Sequence, residues 1–145
     1  MSAEEPRTAS DRNASKVRGA LESAGIRPTR QRLIIAGIML EKPQHLSADQ
    51  VMDLANRRDR WVSKATVYNT LSLFAKKGLL RAVIVDPARV FYDSNTSEHH
   101  HVYNEDDGSL ADIAFKSLPR VGKPEPPPGT EVQGVDVIVR VRRAR

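Results

Sequence analysis

The fold is decided by the sixteen-letter stretch SKATVYNTLSLFAKKG at residues 63–78. Within it Val67, Leu71 and Phe74 recur every three or four residues, a spacing that places side chains on one face of an α-helix. The serine at its start can cap a helix by accepting from free backbone amides, and the glycine at its end is a common helix stop. The stretch therefore predicts an amphipathic helix that packs on a core through one face.

Three shorter helical patterns precede this helix. The first begins at Ser15 and stops at Gly25, and the second is capped by Thr29 and ends before Pro43. The third is capped by Ser47 and has its own apolar stripe. The first half of the chain is therefore predicted to be mainly helical.

Two strands are predicted after the last helix. Leu79–Val85 and Val90–Asp93 are rich in β-branched residues, and a short turn that contains Pro87 joins them. Helices followed by a hairpin give the order of a winged helix-turn-helix, whose last helix enters a DNA groove. We predict a winged-helix DNA-binding domain over residues 1–93, with polar residues 1–14 as a mobile arm.

Residues 94–145 predict a small α/β domain with a three-stranded antiparallel sheet. Strands are expected at His101–Tyr103 and Leu110–Phe115, followed by a proline-rich connector that contains Pro119. From Val135 the residues alternate as in a strand with one apolar face. Because so small a sheet is marginal alone, its apolar face is expected to meet a second copy in a homodimer. The predicted fold class is α+β.

The charges are unevenly distributed. The 145 residues carry 23 Lys and Arg against 18 Asp and Glu. Residues 1–93 hold 16 basic and 10 acidic side chains, whereas residues 94–139 hold 3 basic and 8 acidic ones. This asymmetry indicates a basic half for nucleic acid and an acidic half with another task.

The composition also excludes several classes of protein. With no cysteine, the chain has no disulfide, thiolate zinc site, iron–sulfur cluster or thiol nucleophile. It contains no long apolar run and no secretion signal at its start, so a cytoplasmic protein without a membrane partner is expected.

Four motifs in this order resemble the ferric uptake regulator family of winged-helix transcription factors. They are GIRPTRQR at 25–32, HLSAD at 45–49, ATVYNTL at 65–71, and the dipeptide at 92–93 that leads to the triple histidine at 99–101. Asn69, the Val102–Tyr103 pair and the missing cysteines are most similar to the iron response regulator branch. Members of that branch control haem and iron genes in alpha-proteobacteria.

Candidate DNA contacts lie near the start of the predicted recognition helix. Asn69 can pair with adenine, while the apolar parts of Thr66 and Tyr68 suit a thymine methyl. Arg27 matches a family position that reaches the minor groove, a contact favoured at A·T tracts. The neighbouring arginines contact phosphate or form a solvated basic face. Relatives commonly have Arg at the position of Asn69, so the operator preference of those relatives is not expected to hold for this chain.

The triple histidine is the candidate chemical centre. In an extended chain, two of its imidazoles point to one side and the third to the other. The resemblance implies five metal ligands: His45, Asp93, His99, His101 and Asp112. Such nitrogen and oxygen ligands suit Fe(II), Mn(II) or Zn(II). Because these positions fall in both predicted domains, metal binding is expected to clamp the domains at a fixed angle. A structural cysteine-held zinc site is not expected.

Haem is the second cofactor that the resemblance implies, because imidazole is a common axial ligand. His99, His100 and His101 are the candidates, with no single one assigned. The implied function is a dimeric regulator that occupies A·T-rich operators of iron and haem genes and is released by haem. The alternative is a repressor of the same family that depends on Fe(II) or Mn(II).

A remote alternative from another class is a small metallohydrolase, in which the histidines and aspartates activate water. The sequence has no HExxH pattern, and five protein ligands would leave little open coordination for a substrate. The chain is therefore not expected to be an enzyme.

Overall fold

The computed structural model describes residues 8–58, 60–97, 99–113 and 124–145. In these residues the elements are, in order, α1 (Ala9–Ser23), α2 (Arg30–Met39), β1 (His45–Ser47), α3 (Ala48–Arg57), α4 (Lys64–Lys76), β2 (Arg81–Asp86), β3 (Arg89–Asp93), β4 (His100–Asn104), β5 (Leu110–Ile113) and β6 (Ile138–Val141). The mixture of helices and separate sheets confirms the α+β class. The chain divides into two compact units, residues 1–96 and 97–145.

Side-chain caps fix the starts of three helices in the first unit. Thr29 accepts from the Arg32 amide at the start of α2, and Ser63 accepts from the Thr66 amide at the start of α4. Ser47 forms a reciprocal capping box with Gln50 at the start of α3. The three predicted caps are confirmed.

Helix α1 begins earlier than predicted. The Thr8 hydroxyl accepts from the Asp11 amide at 3.1 Å, and the Asp11 carboxylate accepts from the Thr8 amide at 3.0 Å. This capping box starts the helix at Ala9 rather than at Ser15, so the prediction of a mobile arm is wrong for residues 9–14. The error arose because this first turn has no apolar periodicity. Residues 1–7 of the predicted arm lie outside the described residues.

The four helices bury a common apolar core in the first unit. Its fully buried members include Leu21, Ile35, Val51, Leu71 and Phe74, each 0% exposed. The apolar stripes predicted for the helices therefore face inward, as expected.

The first sheet is antiparallel, with strand order β1-β3-β2. β2 and β3 form the predicted hairpin, which follows Gly78 at a φ of 77°. β1 was not predicted, because three residues are too short to show a strand period. It adds an edge strand to the hairpin beside α3.

The second sheet has strand order β5-β4-β6. β4 and β5 are antiparallel, but β6 lies parallel to β4, so the prediction of an antiparallel sheet is wrong for that pair. The chain between β4 and β6 is long enough for the crossover that parallel strands require. Residues 97, 99–113 and 124–145 contain no helix. The predicted strand end at residues 114–115 and Pro119 of the predicted connector lie outside the described residues.

Among the residues described, no helix combines the length and the apolar character needed to span a bilayer.

The core location of α4 gives a stability prediction. Phe74→Ala should lower the free energy of unfolding by about 3–5 kcal/mol, because a fully buried ring leaves a cavity. Ser72→Ala is the control on the same helix, since Ser72 is exposed, and should change it by less than about 0.5 kcal/mol. Urea denaturation followed by circular dichroism measures both. Equal losses of unfolding free energy for Phe74→Ala and Ser72→Ala would contradict the assignment of Phe74 to the buried face of α4.

Candidate metal centre and recognition helix

In the first unit, His45 and Asp93 form a pair across two neighbouring strands. They are directly opposite each other in the antiparallel register of β1 and β3. One ligand atom of each lies within 4.8 Å of the other. Asp93 is 1% exposed, and its Oδ1 accepts from the Asn95 amide at 2.8 Å. The carboxylate is thus held in place by the turn that follows its own strand.

Two polar residues next to these ligands fix the register. The Gln44 amide donates to Ser94 Oγ, and the Ser94 amide donates to the Gln44 carbonyl, both at 3.0 Å. The Gln44 side-chain amide also donates to the carbonyls of Ile38 and Met39, at 2.7 and 3.3 Å. The His45–Asp93 pair is therefore joined to the end of α2. Neither residue was predicted from the sequence, although Gln44 precedes one proposed ligand and Ser94 follows the other.

In the second unit, His99, His101 and Asp112 come together. Nε2 of each histidine lies 3.5 Å from the same Asp112 oxygen, Oδ1. The two imidazole rings meet edge to face, with centroids 4.5 Å apart. His101 is opposite Asp112 in the register of β4 and β5. Both histidines are buried, whereas Asp112 is exposed.

The hydrogen bonding of His99 determines which of its nitrogens can bind a metal. Its Nδ1 lies 2.7 Å from the Ser97 carbonyl oxygen, which can only accept. Nδ1 therefore carries the hydrogen, and in the neutral ring Nε2 carries the lone pair directed at the Asp112 side. Ser97 was not predicted as a partner of His99, although it lies only two residues before it in the sequence.

The spacing of these atoms fits a shared cation. Two ligands that are each about 2.1 Å from one ion in a tetrahedral arrangement lie about 3.4 Å apart. The two distances of 3.5 Å between imidazole nitrogen and carboxylate oxygen match this separation. Nitrogen and oxygen ligands of this kind suit Fe(II), Mn(II) and Zn(II). The second unit thus brings two imidazole nitrogens to the same carboxylate oxygen at a spacing that a bound divalent ion would allow.

His100 differs in position from its two neighbours. It is half-buried and lies opposite Ile113, whereas His99 and His101 contact the Asp112 carboxylate. This arrangement agrees with the predicted alternation of sides along an extended chain.

Helix α4 presents a polar face to solvent. The exposed residues of this face are Lys64, Ala65, Tyr68, Asn69, Ser72 and Lys76. Tyr68 is 43% exposed, and the Lys64 Nζ lies 5.9 Å from its ring centroid. Lys64 was not predicted as a neighbour of Tyr68, although residues four positions apart lie side by side on a helix.

Thr66 and Arg27, the other two candidate DNA-contacting residues, differ in exposure. Thr66 is half-buried, and its Oγ1 accepts from the Ser63 hydroxyl at 2.8 Å, so it also belongs to the helix cap. Arg27 is exposed in the segment between α1 and α2, away from α4 in sequence. Its carbonyl accepts from Arg32 Nη1 at 2.9 Å. The Arg32 guanidinium therefore supports the backbone that carries Arg27.

The acidic turn between β4 and β5 is organised by its own hydrogen bonds. The Ser109 amide donates to Asp107 Oδ1 at 2.8 Å, and hydrogen bonding from Ser109 lowers the pKa of the Asp107 carboxyl. Asp106 Oδ2 accepts from the Arg143 amide at 2.6 Å. The carboxylates of Asp107 and Asp106 are therefore both engaged in hydrogen bonds that organise this turn.

Comparison with known proteins gives the family. Residues 23–135 match the family model described as the ferric uptake regulator family. The peroxide operon regulator of Bacillus subtilis is 31% identical over 101 residues, which cover 70% of each chain. The peroxide-responsive repressor PerR of Staphylococcus epidermidis is 28% identical over 102 residues, or 70% of this chain and 68% of its own.

Solved structures share the fold. The ferric uptake regulator from Pseudomonas aeruginosa with manganese aligns with a TM-score of 0.65 and 21% identity. The alignment covers 88% of this chain and 97% of that one. The similar sequences bear the names of peroxide-responsive regulators and do not distinguish the iron response regulator branch. Family members are transcription regulators, and they are not enzymes. The chain belongs to the ferric uptake regulator family.

Proposed function

We propose that this chain is a cytoplasmic, dimeric regulator of iron and haem homeostasis genes, which binds A·T-rich operators and is released by haem. The observation that carries the ligand-sensing part of the proposal is that Nε2 of His99 and Nε2 of His101 each lie 3.5 Å from Asp112 Oδ1, so that the triple histidine belongs to a cluster of ligand-type side chains. Residues 1–93 act as the DNA-binding domain and residues 94–145 as the sensing and dimerisation domain.

The proposed regulatory site holds one divalent ion with ligands from both units. His45 and Asp93 contribute from the first sheet, and His99, His101 and Asp112 contribute from the second. Each set consists of imidazole and carboxylate groups held by strand register or by backbone hydrogen bonds. A cation bound by both sets would restrain the angle between the DNA-binding and dimerisation domains.

Haem is the proposed releasing ligand, and an imidazole of the triple histidine would hold its iron. His100 is the favoured residue, since its neighbours face Asp112 while it lies opposite Ile113. Haem iron accepts a neutral imidazole nitrogen. If His99 or His101 were also to hold haem, that role would compete with its contact to the Asp112 carboxylate, which would account for release.

The DNA-reading residues proposed for α4 are Thr66, Tyr68 and Asn69, with Arg27 in the minor groove. Exposure of Tyr68 and Asn69 on the polar face of α4 supports direct contact with bases. Thr66 is proposed to act through its methyl group, because its hydroxyl already accepts from Ser63.

Membership of the iron response regulator branch rests on sequence features. Asn69, Val102 and Tyr103 stand at the positions that resemble this branch, and the chain has no cysteine. The absence of cysteine also argues against a structural zinc site held by thiolates.

The second candidate function is a repressor that requires Fe(II) or Mn(II) for DNA binding. It is favoured by the ligand spacing at Asp112, which suits a divalent ion without haem. Under this alternative the same five ligands switch DNA affinity, and haem has no effect.

A gel-shift assay separates the two candidates. An A·T-rich duplex should be bound with sequence preference in the presence of Mn(II), and equimolar haem should release it. His100→Ala should reduce the haem effect, and the Soret band of the haem complex should change with it.

Binding that needs Mn(II) and ignores haem would support the metal-dependent repressor instead. If the Soret band is unchanged in His99→Ala, His100→Ala and His101→Ala, haem binds outside this segment. No selective shift under any condition would overturn both candidates.

Removal of one carboxylate tests the metal ligands. Asp112→Ala should weaken Mn(II) binding at least about tenfold, because the ligand that faces both histidines is lost. Asp107→Ala is the matched control, since Asp107 is also exposed but hydrogen-bonded within its own turn. Isothermal titration with Mn(II) measures both affinities. An affinity that falls equally in the two variants would argue against a specific ligand role for Asp112.

Arg27 gives a prediction for the DNA interface. Arg27→Ala should weaken duplex binding and reduce the slope of log K against log salt by about one unit, because a charge contact is removed. Gln31→Ala is a control, since Gln31 is exposed and uncharged at the start of α2. Fluorescence anisotropy between low and moderate salt gives the slopes. An unchanged slope for Arg27→Ala would place that side chain outside the interface.

A further inference from the structure

Trp61 stands out on the surface of the first unit. It is the sole tryptophan of the chain and is 73% exposed. It lies two residues before Ser63, the residue that caps α4. A large aromatic side chain is thus presented to solvent beside the start of the proposed recognition helix.

The backbone on both sides of Trp61 is anchored. The Arg60 amide donates to the Ala55 carbonyl at the end of α3, at 2.9 Å. On the other side Val62 is 2% exposed and belongs to the apolar core. Since both neighbours are fixed, the ring is held outward by the fold. Such apolar area remains hydrated until a partner covers it.

The charged residues that flank Trp61 in the sequence indicate the kind of partner. Arg60 and Lys64 are exposed on either side of Trp61 in the sequence. Arg58 is different, because it forms an ion pair with Glu41 at 2.8 Å that lowers the pKa of the Glu41 carboxyl. The amino-terminal end of α4 adds a partial positive charge of the helix dipole. This combination of cations and an aromatic ring fits a polyanion that also offers apolar surfaces.

We propose that Trp61 packs on the sugar–phosphate backbone of the DNA duplex read by α4. The ring covers a deoxyribose, while Arg60 and Lys64 contact the adjacent phosphates. The inference rests on the proposed function, because it requires α4 to enter a DNA groove. Trp61 is then a contact that raises affinity for any duplex and carries no base specificity.

Two duplexes of equal length, one A·T-rich and one G·C-rich, test this role in the presence of Mn(II). Trp61→Ala should weaken binding of both by a similar factor of about ten, and Trp61→Phe should recover most of it. The salt slope should stay unchanged for Trp61→Ala, because no charge is lost, whereas Arg60→Ala should lower it by about one unit. Asn69→Ala should instead reduce the preference between the duplexes. Wild-type indole emission should change as duplex is added.

Several outcomes would overturn the inference. Equal duplex affinity of the wild type and Trp61→Ala, or indole emission unaffected by bound duplex, would exclude a DNA contact while leaving the proposed function standing. A changed sedimentation mass of Trp61→Ala with unchanged DNA affinity would assign the ring to contact between copies. Wild-type protein that binds neither duplex would overturn this inference and the proposed function together. Thermal melting of Trp61→Ala at the wild-type temperature confirms that the variant is folded.

Discussion

The antiparallel pairing of β1 with β3 is the constraint on which the arrangement of the first unit depends. It places His45 opposite Asp93 and puts Leu46 opposite Tyr92, a member of the apolar core. The strand ends at Ser47, the residue that caps α3. A three-residue strand therefore connects ligand position, core packing and helix start, so a shift of register would disturb all three.

In the second unit, strand pairing in the other sheet also places an imidazole opposite a carboxylate. Pairing of β4 with β5 sets His101 opposite Asp112, much as β1 and β3 set His45 opposite Asp93. In each case an imidazole and a carboxylate meet through strand register instead of through loop conformation. Positions fixed in this way lose little further conformational entropy when a ligand binds. Preorganised imidazole–carboxylate pairs of this kind suit the proposed binding of a divalent ion.

The sequence predicted the helical part of the first unit well, because periodicity and capping residues agree there. Thr29, Ser47 and Ser63 cap the helices that follow them, and the apolar stripes are buried. The early start of α1 was missed, since Thr8 and Asp11 form a cap without an apolar pattern. The short strand β1 and the parallel direction of β6 depend on pairing between residues that are far apart in the sequence. A local sequence pattern does not predict such pairing. The ligand residues were suggested by resemblance, whereas the hydrogen bonds made by Gln44, Ser94 and Ser97 beside them became evident only in the structure.

A double-mutant cycle on Mn(II) binding tests most directly whether the imidazole–carboxylate pairs of the two units bind one ion. The affinities of wild type, His45→Ala, His101→Ala and the double variant are measured by titration, with stoichiometry from native mass spectrometry. If one ion is shared, each wild-type chain should bind one Mn(II), and each single substitution should cause a large loss of binding free energy. The loss in the double variant should then be well below the sum of the two single losses. Two ions per chain, with each substitution removing one and leaving the affinity of the other unchanged, would contradict a shared site.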